Sequence, residues 1–179
     1  SYPIQNRWTR NSTAVHEAVQ TTLLDAEVRL KDPAFTVERM PNGLPAWERN
    51  IEKWKVFTHH GIQFVLYGMM DGVLQYKDGS RIGFEFKTKS NSVAQIKATK
   101  EPQQSHIMQC VAYSLLFEVD EFLITYESVA KDKWSTNENA RDDVKVFYVK
   151  VTERQRQDLL NKFVRVAINL QDGEVSAPN

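Results

Sequence analysis

GMMDGVLQYKDGSRIGFEFKTKS, residues Gly68–Ser90, is the stretch on which the fold of this chain turns. It reads as two strands joined by a tight turn. Lys77-Asp78-Gly79-Ser80 supplies the turn, and its Asp-Gly pair is a strong hairpin signal. The return strand runs from Arg81 to Lys89. Side chains two apart on a strand point to one face, so Glu85 and Lys87 share a surface, with Phe84 and Phe86 expected in the core on the other. Asp71 opens the first strand in an apolar setting, after Gly68-Met69-Met70 and before Gly72, and the hairpin returns it alongside Glu85.

Two carboxylates and an ammonium within apolar strands are costly to hold unless something compensates their charge. A divalent cation does so, and hard oxygen ligands favour Mg²⁺. Such a site suits phosphodiester hydrolysis, which needs carboxylates for the ion, a way to ready a water, and a positive charge near the reacting phosphate. Asp71 and Glu85 are the candidate ligands and Lys87 the candidate assisting cation. The main-chain carbonyl of Phe86 lies between them and is a further candidate ligand. The competing reading is an exposed strand face whose charges are only solvated.

Working outward, residues 11–30 carry Val15, Val19, Leu23 and Leu30 at helical spacing after a capping Asn11 or Ser12, and Pro33 ends that helix. Residues 35–55 hold Pro41, Gly43 and Pro45 and read as irregular with a short strand; residues 57–76 give one or two strands broken near 58–61. Residues 91–102 are polar and read as a loop, and residues 103–117 turn helical, with Ile107, Val111, Ser114 and Leu115 on one stripe. Strands follow over 121–129 and 143–151, separated by a polar loop over 130–142, and Thr152-Glu153-Arg154-Gln155 caps a last helix reaching residue 170. The expected fold class is α/β: a mixed sheet flanked by helices in the order α-β-β-β-α-β-β-α. The whole of 1–179 reads as a single domain with a frayed tail after about residue 171.

Composition excludes several classes. A lone cysteine, Cys110, rules out an internal disulfide or an iron–sulfur cluster built from cysteines. No apolar run approaches the ~20 residues of a membrane span, and the N-terminus lacks the order of a signal peptide, so a cytoplasmic setting is expected. Formal net charge is zero, which does not advertise nucleic-acid binding, yet Lys87, Lys89, Lys97 and Lys100 crowd into one basic stretch suited to a phosphate backbone. The alternative there is a solvated lysine-rich loop. Trp47 and Trp54 flank charged residues and are expected to pack on the core rather than stack on bases; His59-His60, beside Gly61, reads as a turn without a ligand partner.

The order of these motifs resembles the RecB-like branch of the PD-(D/E)XK nuclease superfamily. The branch is marked by an acid, a Glu-x-Lys on the next strand and a helix bearing Gln-x-x-x-Tyr. Asp71, Glu85-Phe86-Lys87 and Gln109-Cys110-Val111-Ala112-Tyr113 match in order, with His106 at the upstream position and His16 at the place of a metal-binding histidine on the first helix. The matches span residues 16–113. Two departures stand out: the proline that names the superfamily is replaced by Met70, and the iron–sulfur cysteines of some members are lacking.

The resemblance implies a restriction-endonuclease-like core and a deoxyribonuclease using one or two Mg²⁺ or Mn²⁺ ions held by His16, Asp71, Glu85 and the Phe86 carbonyl. Gln109 would orient Lys87 or a phosphate, and Tyr113 would contact substrate, with His106 a further candidate on the same helix face. Lys89 continues the Lys87 face by one more pleat, where a phosphate contact and a solvated strand end are both open. The expected activity is that of an exonuclease on DNA ends or single strands in recombination or repair, encoded by a phage or mobile element. In that case the setting is the host cytoplasm. The alternatives are a structure- or sequence-specific endonuclease on the same fold, and a catalytically silent DNA-binding or assembly module. DNA is the expected partner, with a homo-oligomer or a recombination or repair protein as further candidates.

Overall fold

In the computed structural model, residues 19–89, 93–128 and 144–172 are described. Residues 19–29 are helical (α1), and β1 (Phe35–Val37) and a 3₁₀ turn (Glu48–Ile51) follow. Then come four strands, β2 (Lys53–His59), β3 (Ile62–Gly68), β4 (Gly72–Tyr76) and β5 (Arg81–Lys89). Helices α2 (Val93–Ala98) and α3 (Gln104–Phe117) lead to β6 (Glu121–Ser128), β7 (Val144–Lys150) and α4 (Glu153–Gln171). The chain is therefore α/β, with a central mixed sheet of five strands in the order β1-β4-β5-β6-β7.

The β4–β5 hairpin fixes the geometry of everything that follows. Gly79 sits at φ +91°, a left-handed conformation that glycine adopts without steric penalty, and its N–H donates to the Tyr76 carbonyl at 2.9 Å. Asp78 braces the same turn by accepting from the Ser80 N–H at 2.8 Å. The antiparallel ladder pairs Gly72 with Phe84, so one further step of the register sets Asp71 across from Glu85.

Strands β5 and β6 are parallel, which demands a crossover, and α2 and α3 carry it. Helix α3 sinks Cys110, Val111, Tyr113 and Leu116 into a core completed by Val73, Phe122 and Ile124 from the sheet and by Met70 just before β4. The approach is close at Gly83, where an added Cβ would stand 2.4 Å from the Phe122 ring. Helix α4 opens on the capping box expected from sequence: the Gln155 N–H donates to Thr152 Oγ1 at 3.2 Å, and the Thr152 N–H to Gln155 Oε1 at 2.9 Å. Its buried stripe is Leu159, Leu160 and Val164.

Several expectations need correcting. Four strands intervene between β1 and the crossover where the sequence reading has fewer, because 53–68 forms a separate two-stranded sheet rather than part of the central one. That hairpin turns inward Phe57 and Leu66, and Phe64 meets Phe163 of α4 with ring centroids 5.7 Å apart. Its outer face keeps Trp54 67% and Tyr67 62% exposed across from one another, so Trp54 does not pack on the core; Trp47 is half-buried. The expected loop after β5 contains the short helix α2, anchored by the buried Ile96. His60 and Gly61 form the expected turn, and both histidine Nε2 atoms meet Asn161 Oδ1, at 2.8 and 3.1 Å. Phe86 is buried, whereas Phe84 is only half-buried. The expected loop over 130–142 and the first-helix position of His16 lie outside the described residues.

Candidate active site

Asp71, at the mouth of β4, and Glu85, in the middle of β5, are linked twice. The Asp71 N–H donates to Glu85 Oε1 at 3.3 Å, and the Phe86 N–H donates to Asp71 Oδ2 at 2.7 Å. The hairpin register thus holds both carboxylates through main-chain donors, which are already fixed by the strands. Glu85 is 3% exposed and Asp71 half-buried.

Burial, and then the negative charge of Asp71, push the Glu85 carboxyl up to about 8. The Lys87 ammonium, 3.5 Å from Glu85 Oε2, pulls the other way. The 3.5 Å approach of Lys87 favours the ionised carboxylate, and burial beside Asp71 favours the protonated acid. Desolvation outweighs one neighbouring cation at this depth, so Glu85 holds its proton at neutral pH without a further positive charge.

A chain of donors and acceptors runs from there onto α3. Lys87 Nζ donates to Gln109 Oε1 at 2.7 Å, and Gln109 Nε2 donates to the Tyr113 hydroxyl at 2.8 Å. The spacing of four residues places Gln109 and Tyr113 on one helix face, and that face looks onto the Glu85–Lys87 side of β5. Tyr113 stays a neutral phenol, its pKa raised by burial and then by Glu85. Its ring also bounds the adjoining hairpin: a Cβ on Gly68 would stand 2.9 Å from it.

Beyond Lys87, Lys89 Nζ lies 5.3 Å from the centre of the Tyr126 ring, and His106 Nδ1 is 2.6 Å from the Tyr126 hydroxyl. Burial first, then Lys87 and Lys89, hold His106 down to about 4, so it is neutral at pH 7. The structure therefore gathers the residues singled out from sequence, His16 apart: Asp71, Glu85, Phe86, Lys87, Gln109 and Tyr113 form one cluster, with His106 and Lys89 next to it through Tyr126. Phe86 meets Asp71 through its N–H. His16 falls outside the described residues. Lys97 and Lys100 are exposed, Lys97 on α2 and Lys100 beyond its end.

Fold comparison adds one result. No family model matches the chain, and no curated protein does. Its fold is similar to that of a solved structure described as the crystal structure of SSO0001, at 14% identity and a TM-score of 0.53. The match covers 93% of this chain and 61% of that one, so the chain spans about three-fifths of the length of that structure. At this identity the likeness concerns the fold alone, and the architecture is compatible with a restriction-endonuclease-like core.

Two residues at the site were not singled out for it. Tyr126 falls in the strand expected over 121–129, and its hydroxyl takes the Gln103 N–H at 3.1 Å and meets His106. Cys110 is fully buried near Glu85; burial, then the charge of Glu85, push its thiol up to about 12, which makes it inert as a nucleophile at neutral pH.

Among the described residues no three His, Cys, Asp or Glu side chains converge on a common point. The two carboxylates nevertheless fit a hard divalent cation. Both are oxygen donors, they are fixed by the main chain, and Glu85 is forced towards its neutral form by burial and then by Asp71. A cation between them would remove that like-charge conflict. No described helix is long and apolar enough to cross a membrane.

Proposed function

We propose that this chain is a metal-dependent deoxyribonuclease that hydrolyses phosphodiester bonds, acting as an exonuclease on DNA ends or single strands. The observation that carries the reading is the pairing of the buried Glu85 with the half-buried Asp71, with Lys87 3.5 Å from Glu85 and itself tied to the Gln109–Tyr113 chain. A core built only for stability has little use for two carboxylates and an ammonium at this depth. The RecB-like motif order in the sequence supports the same reading.

Asp71 and Glu85, with His16 and the Phe86 carbonyl, would hold Mg²⁺ or Mn²⁺, whose contribution when bound is Lewis acidity at the phosphate. Glu85 serves as a ligand only when ionised, so ion binding releases a proton at neutral pH. Lys87 has three N–H donors: one is spent on Gln109 and one faces Glu85. The third serves a phosphate oxygen or the attacking water. Gln109 keeps the ammonium from swinging away, and because Tyr113 accepts from Gln109, its own O–H remains to donate to substrate. Recombination or repair inside a cell, on phage or mobile-element DNA, is the setting that suits such a chemistry.

Purified protein with Mg²⁺ or Mn²⁺ should degrade linear DNA to short products and leave circular duplex intact. Glu85→Gln and Lys87→Ala should both abolish this with unchanged circular dichroism. Full cleavage by both variants, or none by the wild type with either ion, overturns the reading; nicking of circles would make the enzyme an endonuclease.

A further inference from the structure

We infer that Tyr126 builds a second anion subsite next to the carboxylate pair, in which Lys89 and His106 together take a backbone phosphate of the bound nucleic-acid strand. The inference deepens the nuclease reading and rests on it for the identity of the polyanion.

Tyr126 lies on β6 in parallel register with Lys87 and is 3% exposed. Phenylalanine would pack equally well in that place, but the hydroxyl is fully used. It accepts the N–H of Gln103, the residue that precedes α3, at 3.1 Å. It also stands 2.6 Å from His106 Nδ1. A phenol has one hydrogen to give. In the subsite, Nδ1 takes that hydrogen and the imidazole carries its own proton on Nε2. Tyr126 thereby sets the plane of the His106 ring, as a carboxylate or carbonyl does for histidines elsewhere.

The Tyr126 ring organises a second group. Lys89 Nζ lies 5.3 Å from the ring centre, a cation–π distance. Lys89 and Lys87 sit on the same face of β5, about 7 Å apart along the strand, close to the separation of neighbouring phosphates on an extended nucleic-acid strand. Their mutual repulsion is visible in Lys89, whose pKa is lowered by burial and then by Lys87. Glu85 offsets the charge of Lys87 only, and the first turn of α3 contributes no acid. An ammonium, a neutral ring N–H and the acid-free start of a helix thus meet around one buried tyrosine, where a phosphate supplies the missing negative charge.

The test is affinity rather than turnover. The full chain, in EDTA so that nothing is cleaved, is titrated with a fluorescein-labelled single-stranded oligonucleotide by anisotropy across a salt series. Lys89→Ala should weaken binding and flatten the slope of log affinity against log salt by roughly 0.7, the loss of one counterion-releasing contact. His106→Ala should weaken binding without changing the slope, because a neutral donor releases no counterion. Tyr126→Phe, which keeps the ring, should weaken binding roughly three- to tenfold and add nothing in the His106→Ala background. A full Tyr126→Phe effect in that background, or an unaltered salt slope in Lys89→Ala, overturns the subsite. If Tyr126→Phe fails to fold, the slope comparison of Lys89→Ala with His106→Ala decides alone. A wild type that shows these binding differences yet never cleaves DNA with Mg²⁺ or Mn²⁺ would sink the nuclease reading and leave the subsite standing.

Discussion

Glu85→Gln separates the charge on this side chain from its shape, and the structure sets the size of the effect. Glu85 is 3% exposed, and its carboxyl is raised from 4.5 to about 8, by burial first and Asp71 second. The folded chain therefore binds this proton more tightly than the unfolded chain does. The resulting stability is complete below about pH 4.5 and is lost as pH rises through about 8, where the folded form also ionises. Between pH 5 and 7.5 the loss comes to about 3 kcal/mol at roughly 1.4 kcal/mol per pH unit. For a chain of this length that corresponds to a fall in Tm of about 10 °C. Glutamine carries no proton to lose. The Tm difference between Glu85→Gln and wild type, measured calorimetrically in EDTA, should therefore move in favour of the variant by that amount across the interval. Comparing the two proteins cancels the titrating groups that do not sense the charge of Glu85. Mn²⁺ at pH 7.5 should restore the wild type and leave the variant unmoved, since ligand binding stabilises only the form that binds. A Tm difference that stays constant from pH 5 to 7.5 refutes the argument about Glu85.

Other consequences are as direct. Asp71→Asn should lower Mg²⁺-dependent cleavage at least about a hundredfold while thermal stability in EDTA is retained or improved, because the like charge beside Glu85 is gone; rapid cleavage by that variant would exclude the carboxylate pair. Tyr113→Phe removes the acceptor of Gln109 Nε2 and should slow turnover roughly tenfold with little change in Tm, measured by steady-state kinetics. Gly83→Ala sets a Cβ 2.4 Å from the Phe122 ring and should cost roughly 1–3 kcal/mol in a denaturant titration. Thr152→Ala opens the capping box of α4 and should cost about 1 kcal/mol in the same assay.

What could be read from the sequence was what local chemistry dictates. Asp78-Gly79 fixed the turn, the turn fixed the register, and the register set Asp71 opposite Glu85. Thr152 and Gln155 announced the start of α4 for the same reason: partners three residues apart need no tertiary information. What escaped depends on distant partners. The hydroxyl of Tyr126 finds Gln103 and His106 only after β6 has crossed back beside β5, and His59 and His60 find Asn161 only when α4 lies against the hairpin tip. Strand β2 was blurred because its exposed face carries Trp54 and Val56, the residue types that ordinarily mark the buried face. Helix α2 was missed because six residues with a single buried anchor, Ile96, carry too little periodicity to stand out from a polar loop.

Cys110 turns out to be a built-in reporter. It is the chain's sole thiol, has no exposed surface, and lies in the helix that closes over Glu85. A bulky disulfide reagent cannot touch it until α3 parts from the sheet. The rate of its labelling in native buffer therefore clocks how often that layer opens. Slower labelling on addition of Mn²⁺ or oligonucleotide would register occupancy of the Asp71–Glu85 site from inside the protein, with no probe attached.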